Sequence, residues 1–586
     1  MFLSKLSATA FDAVGRHNPQ LLREWQGRLR WRNLFLTLAL SLLVQGLVVL
    51  NHVSRLPSAT SKYSRYCMEA LNTNLGSSEC IVGPEGTLLV DWVHFWASVF
   101  RDLSYVLVWA FIIIGVYLLA ADLAKEMRRG TLNFLRLSPL PARQLLLGKL
   151  LGVPVLLYVG VASLLPAHVA TGLMGTYTAA SLLKFYGLLG AIAFCLFSAA
   201  MWAALLTSKL QGLQSWLVAG GSALLLLAGA ISRRAGDVLD WIRLFNPLHI
   251  LADWQIVRPG THALWAFDQG AQINGFRKLR WFTLLVGNNV NEYWLLACGN
   301  AVLLGLCFWL LLERKYKMPA LSAMGKRQSY GLTLGLALML MGFSIQRVPT
   351  TQEPVYLFDA MLGYAVLMLA YSVGLVFLLL PSKQSLLDWA RFRHFQGPAT
   401  GERTRRERPR DQRKQRVVRD LLFSERSPAA GAIALNWAIA SAVLLLGASL
   451  TQSLGPAREA DKLVFTWFVY AAILVICALV AQLIVLADFI HWRWINAGAI
   501  AGITLGIPIT LGIAGIHSAH AGWRMLWLLT FFPHEVAHRV SFLELGIAIA
   551  THLSILTGLS FWLARRINVL GQSEWKALMS ANTRQT

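Results

Sequence analysis

Apolar runs long enough to cross a bilayer recur along almost the whole chain. A helix rises about 1.5 Å per residue, so a hydrocarbon layer of ~30 Å needs roughly 20 apolar residues. Windows of this kind predict spans at 33–51, 103–121, 147–166, 182–207, 213–231 and 292–312. A second set follows at 331–346, 357–380, 431–451, 463–487, 495–515 and 541–563. The fold class is therefore all-α: a polytopic membrane protein of about twelve transmembrane helices in two six-helix blocks. An amphipathic approach over 86–102 leads into the second span, and the apolar piece at 523–532 is too short to cross.

Polar segments set the boundaries. Residues 1–32 are basic and amphipathic: Phe11, Val14, Leu21, Leu22, Trp25 and Leu29 recur at helical spacings among Arg16, Arg23, Arg28, Arg30 and Arg32. That pattern predicts a helix lying in the membrane interface, not a cleavable signal peptide, because no apolar core or small-residue cleavage site is present. The first block is 33–315 and contains a polar segment at 122–146; a connector, 316–330, leads to the second block, 331–565, interrupted by the basic loop 382–428. Residues 566–586 form a tail.

Composition agrees with a lipid solvent: 56% of residues are hydrophobic and 14% charged, against about 25% charged in soluble domains. The net charge of +24 falls in loops that share one side, including Lys125, Arg128, Arg129, Arg136, Arg143, Lys149, Arg314, Lys315, Lys317, Arg565 and Arg566. Positive loops stay inside, which predicts a multi-pass inner-membrane protein with both termini cytoplasmic. The long loop 232–291 dissents, with Arg233, Arg234 and Arg243 among its cations; long loops escape the rule, and 233–243 is expected to be an interfacial amphipathic helix. Such charge reads as membrane-lipid contact and argues against nucleic acid as a partner. Asp122, Asp359 and Asp488 sit near span ends, so no midplane acid relay is evident. Cys195, Cys298, Cys307 and Cys477 lie in apolar segments, whereas Cys67 and Cys80 share one polar loop and form a candidate disulfide.

The segment 120–152 carries the functional signal. Gly130 permits an unusual backbone conformation, Thr131 is expected to cap a short helix over 132–137, and Ser138-Pro139-Leu140-Pro141 must end it. A stubby helix with Leu132, Leu135, Leu137 and Arg136, parallel to the membrane, is poorly shaped for catalysis and well shaped to be gripped by a soluble partner. The segment resembles the region between the second and third spans of ABC-2 type transporter permeases, with Glu126, Arg129, Gly130, Thr131, Leu132, Leu135, Pro139, Leu140, Leu145, Gly148 and Lys149 at matching positions. Asn18, Pro19, Leu21, Leu22, Arg23 and Glu24 resemble the connecting helix that opens such permeases, and 245–254 falls where they place short re-entrant helices. The resemblance covers 1–320 well.

The resemblance implies a permease subunit of an ATP-driven exporter, whose coupling helix (Glu126, Arg129, Gly130, Thr131, Leu132, Leu135, Arg136, Pro139 and Leu140) docks on a separate cytoplasmic ABC ATPase. The chain itself is then not an enzyme and binds no cofactor; ATP and Mg belong to the partner, since no GxxxxGK[ST] phosphate loop occurs here. The second block lacks the Glu–Gly–Thr signature. Either a degenerate coupling helix lies near 383–393, or the active unit is a homodimer.

A competing pattern stands at 534–538, His-Glu-Val-Ala-His. His534 and His538 one turn apart would present two imidazoles to zinc, with Glu535 as general base and Glu544 as a candidate third ligand. Ser541 stands where the matching zincin subgroup needs glycine, which weighs toward a plain polar loop. A non-transporting assembly protein on a permease scaffold is the remaining alternative.

Overall fold

A computed structural model describes residues 14–57, 66–70, 79–82, 88–207, 212–231, 238–252, 279–282, 284–344, 355–395, 418–452, 460–487, 489, 491–516, 523–533, 536 and 540–571. The chain divides into two compact units, Met1–Lys317 and Met318–Thr586. Both are built from helices, as hydrocarbon demands of a backbone that must satisfy its own polar groups. Among the described residues ten helices have the length and apolar character to cross a membrane, which makes this a multi-pass membrane protein. The other two expected spans are helices that fall short: Leu213–Ile231, whose apolar part is Leu213–Gly229, and Lys326–Ser344, which begins in polar sequence.

Unit 1 opens with α1 (Pro19–Arg28), started by the Asn18 side chain, which accepts from Leu21 N, and by Pro19 in the first turn. Helix α2 (Trp31–Val53) follows; its Leu36, Leu43 and Leu50 are more than half exposed, as lipid-facing side chains are. A two-residue antiparallel ladder pairs β1 (Glu69–Ala70) with β2 (Glu79–Cys80), Glu69 opposite Cys80. Cys67 is disulfide-bonded, and Cys195, Cys298, Cys307 and Cys477 are free. Tyr66, fully buried, donates to or accepts from His52 Nδ1 at 2.5 Å, and His52 Nε2 lies 3.0 Å from Asp102 Oδ2, tying this small sheet to the membrane helices.

The second span is one continuous 37-residue helix, α3 (Trp92–Arg128), so the expected separate approach over 86–102 merges with it. After the short α4 (Thr131–Arg136) comes α5 (Ala142–Gly152), then α6 (Val155–Met174). The expected span at 147–166 is thus displaced to 155–174. Pro154 supplies no N–H to continue α5 and breaks the run. Helices α7 (Ala179–Leu206), α8 (Leu213–Ile231), the four-residue α9 (Asp240–Arg243) and α10 (His249–Ala252), and α11 (Val290–Lys317) complete the unit. The arginine expected on an interfacial helix, Arg243, is instead buried and paired with buried Asp240 at 3.1 Å; a charge withdrawn from water takes an opposite charge with it.

Unit 2 comprises α12 (Lys326–Ser344), α13 (Val355–Leu379), α14 (Lys383–Phe395), α15 (Ala430–Gln452), α16 (Ala460–Leu486), α17 (Trp492–Ala501), α18 (Ile507–Ile513), α19 (Arg524–Leu528) and α20 (Phe542–Gly571). A π-helical turn, Gly502–Gly506, joins α17 to α18 within one apolar run. Trp437 of α15 stacks on Trp467 of α16 at 4.2 Å. The basic arm 396–417, the motif residues His534, Glu535 and His538, and the tail 572–586 lie outside the described residues.

Candidate functional site

The site is the end of unit 1 where α1, α3, α4, α5 and α11 meet. Close approach comes first. The Asn18 amide that caps α1 also donates through Nδ2 to the Gln144 carbonyl at 2.7 Å. A Cβ added to Gly148 would stand 2.8 Å from Asn18 Oδ1 and 2.9 Å from Leu21 N; one added to Gly152 would stand 2.6 Å from Glu24 Cβ. Glycine at both positions is what lets α1 lie on α5.

That contact brings charges together around Lys149, which is 1% exposed. Its Nζ lies 2.8 Å from Asp122 Oδ2, 2.8 Å from Glu126 Oε1 and 3.5 Å from Glu24 Oε1. An ammonium has three N–H donors, and here each finds a carboxylate. Arg28 closes the ring, 2.7 Å from Asp122 Oδ1 and 3.2 Å from Glu24 Oε2. Burial alone would lower the Lys149 pKa; Asp122, Glu126 and Glu24 outweigh it and hold the ammonium above the ordinary lysine range. Glu24, Asp122 and Glu126 offer ligand atoms within 4.8 Å of one another, but the Lys149 ammonium occupies the position a metal cation would take among them. The cluster is a joint between three helices.

The short helix stands on this joint. Gly130 has φ 71° and forms the N-cap of α4, a conformation other residues adopt only under strain. Thr131, expected as the cap, is instead the first helical residue, and its hydroxyl donates back to the Glu126 carbonyl at 3.2 Å. Leu132 and Leu135, three apart, turn inward and are buried. Phe134 and Leu137, also three apart, turn outward and are 75% and 85% exposed. Arg136 donates to Asn133 Oδ1 at 2.8 Å and lies over the Tyr316 ring at 5.4 Å, and burial lowers its pKa from the ordinary arginine value. Pro139 is exposed and Leu140 half-buried. On the far side, Arg143 pairs with Glu313 at 2.9 Å, and Glu313 with Lys317 at 2.7 Å, which ties the start of α5 to the end of α11.

The residues read from sequence therefore divide by role. Glu126, Leu132 and Leu135 face their own chain and hold α4 in place. Arg129, Gly130, Thr131 and Pro139 lie on its exposed side. Sequence reading missed Phe134 as an outward side chain, and it missed Asp122, Arg28 and Glu313 as anchors. The spacing of three on a six-residue helix was the available signal for two opposed faces.

Two other polar constellations serve packing. Ser104 Oγ donates to Phe100 O at 2.7 Å and lies 2.8 Å from His168 Nε2, while His168 Nδ1 meets Tyr186 OH at 2.6 Å. Both Ser104 and His168 are fully buried, so this serine–histidine pair knots α3, α6 and α7 together. Glu544, the candidate third zinc ligand, accepts from Ser541 N at 2.7 Å and from Ser541 Oγ at 2.9 Å. Ser541 and Glu544 form the capping box of α20, which accounts for both residues without a metal.

No family model, curated protein or solved structure matches the chain.

Proposed function

We propose that this chain is the membrane-spanning permease subunit of an ATP-driven, ABC-2-like exporter, worked by a separate cytoplasmic ATPase that docks on α4. The observation that carries the reading is the pair Phe134 and Leu137. They are two large apolar side chains, 75% and 85% exposed, on and just after a helix whose inner face is pinned at Leu132 and Leu135. Exposed apolar side chains in a segment that also exposes Arg128, Arg129 and Arg143 suit a protein partner, because apolar anchors with a polar rim are how protein interfaces gain affinity.

The mounting supports the same reading. The Lys149 joint ties the ends of α1, α3 and α5 to one another and the Arg143–Glu313 pair ties α5 to α11, while α4, set between α3 and α5, meets α11 through Arg136 over Tyr316. A push on α4 is thereby delivered to several membrane helices at once, as a two-state rocking transition requires. On this reading the end of unit 1 bearing α4 is cytoplasmic, the membrane is the inner membrane, and the substrate path opens among the spans.

Purification from native membranes tests it. The chain is expected to bring down a protein with a GxxxxGK[ST] phosphate loop. Phe134→Asp with Leu137→Asp should reduce that recovery by at least about tenfold, the loss of roughly 1.4 kcal/mol of binding or more. Full recovery with the double variant, or no such partner with the wild type, would overturn the proposal.

A further inference from the structure

We infer that Glu126 is a proton-binding residue: the joint beside α4 is complete when this carboxyl carries a proton and is loosened when it ionises. Together with the functional reading above, on which this consequence rests, the proton ties the rocking of unit 1 to the pH on the side that bears α4.

The joint can be followed oxygen by oxygen. Asp122 Oδ1 accepts from Arg28 at 2.7 Å and Oδ2 from Lys149 at 2.8 Å. Glu24 Oε2 accepts from Arg28 at 3.2 Å, and Oε1 accepts from Gln20 Nε2 at 3.0 Å and from Lys149 at 3.5 Å. Glu126 Oε1 lies 2.8 Å from Lys149 Nζ. Glu126 Oε2 is buried and has no hydrogen-bond partner. Five of the six carboxyl oxygens are thus met and one is not. The unmet oxygen belongs to the acid for which no second cation remains. Lys149 has given its three N–H groups to Asp122, Glu126 and Glu24, and Arg28 has gone to Asp122 and Glu24.

Among the described residues no other cation is paired with Glu126. On α3 itself, Lys125, Arg128 and Arg129 are exposed. On α4, Arg136 donates to Asn133 and lies over the Tyr316 ring, and its buried Nε has no partner. On α5, Arg143 is taken by Glu313 of α11, which also holds Lys317. On α11, Tyr316 is 4% exposed and its hydroxyl has no hydrogen-bond partner. That tyrosine is near enough to act electrostatically on Glu126 and on Lys149.

An ionised carboxylate accepts at both oxygens and donates at neither. One such oxygen buried and unmet costs the desolvation of a charged atom. Protonation changes that atom. Oε1 still accepts from Lys149, Oε2 becomes a hydroxyl, and the joint loses the negative charge by which three carboxylates exceed two cations. The Tyr316 hydroxyl, which both donates and accepts, is the kind of group such an O–H bonds. Water can deliver the proton. Helix α3 has 37 residues and is about 55 Å long at 1.5 Å per residue, against ~30 Å of hydrocarbon. Its last turns, from Asp122 to Arg128, lie past the apolar window 103–121. Burial raises Glu126 above the ordinary glutamate value; Lys149 opposes this, and Asp122 and Glu24 add to it. When α3, α5 and α11 part, Oε2 meets water and the proton leaves.

Glu126→Gln tests this, because the amide keeps the Oε1 acceptor and the shape of the protonated acid but cannot ionise. Unfolding temperatures of the full chain in detergent are read at about pH 4 and about pH 8. A group whose folded value lies above its unfolded one stabilises fully below the unfolded value and loses that contribution as pH rises through the folded one. Wild type and Glu126→Gln should therefore unfold together at the lower pH, and the variant should be higher by about 2 °C or more at the upper. In parallel, infrared difference spectra over the same range should show a carboxyl C=O stretch that persists after the exposed acids have ionised and is missing from Glu126→Gln. A variant no more stable than wild type at the upper pH, or one that fails to fold, marks Glu126 as an ordinary ion-pair carboxylate whose free oxygen is met by water, and overturns the proposal. A wild-type spectrum without that stretch does the same. Neither readout involves the ATPase, so the reading of α4 as its dock is decided separately, by the recovery experiment above.

Discussion

The ammonium of Lys149 lies 2.8 Å from the Asp122 carboxylate in a position 1% exposed. One residue ends the second span and the other leads into the third, so this contact fixes the turn on which α4 is mounted. With Glu24, Glu126 and Arg28 it forms a group of two cations and three carboxylates. Removing the lysine leaves buried acids facing one another.

Lys149→Met is therefore expected to destabilise unit 1 by about 3–5 kcal/mol, the range for a buried ion pair that loses one partner. Asp122→Asn added to Lys149→Met should restore part of the loss, because one uncompensated carboxylate is removed. Thermal unfolding in detergent reads both. A double variant no more stable than Lys149→Met would contradict the assignment of Lys149 as the hub.

The two buried lysines should respond oppositely to alkali. Burial holds Lys326 down at about 8. Between about 8 and the ordinary lysine value near 10.4 the unfolded chain binds the proton and the folded one does not, so rising pH favours the fold across that window. Lys149 is raised, so its stabilisation is complete below the ordinary lysine value and is lost only as pH climbs through the higher folded one. Unfolding temperatures at pH 7.5 and 9.5 are expected to show wild type gaining on Lys326→Met, while the gap between wild type and Lys149→Met stays level. A wild type that loses ground to Lys326→Met as pH rises would be the contrary result.

Backbone geometry gives a third expectation. Gly130→Ala must place a side chain at φ 71°, at a cost of about 1–2 kcal/mol. Nothing lies within 4 Å of the added Cβ there, so the loss is conformational and should be the same for Gly130→Ser. Gly148→Ala differs, since its Cβ meets the Leu21 backbone at 2.9 Å. It should lift α1 off α5, read as faster labelling of a cysteine placed at Gln20, which is 3% exposed. Unchanged labelling would show that α1 accommodates the methyl group.

The two faces of α4 should separate stability from partner binding. Leu132→Ala removes a side chain that is 1% exposed and should cost about 2–5 kcal/mol. Phe134→Asp and Leu137→Asp change exposed positions and should stay within about 0.5 kcal/mol of wild type, while losing the ATPase. Equal destabilisation by the inner and outer variants would mean that α4 has no free face.

Much of this was legible in the chain. Hydropathy located most of the spans, because hydrocarbon tolerates little else than an apolar helix. The break before the third was displaced by Pro154, a residue whose missing N–H acts through one local hydrogen bond and leaves the hydropathy unchanged. Glu24, Asp122, Glu126 and Lys149 are visible as charges near span ends, but their meeting depends on Gly148 and Gly152 admitting α1, a tertiary contact with no period. The sequence offers Leu132, Leu135 and Leu137 alike to a partner, whereas Leu132 and Leu135 are buried and Leu137 faces out with Phe134: both pairs have the spacing of a helix face, and only the packing decides which is inward.

The most direct test of the account is ATP hydrolysis by the protein purified from its native membrane. The wild type should carry ATPase activity that no motif in its own sequence supplies, and Phe134→Asp with Leu137→Asp should fall to background while its unfolding temperature is unchanged. Wild-type protein without ATPase activity, or a folded double variant that keeps it, would contradict the claim that α4 receives the motor.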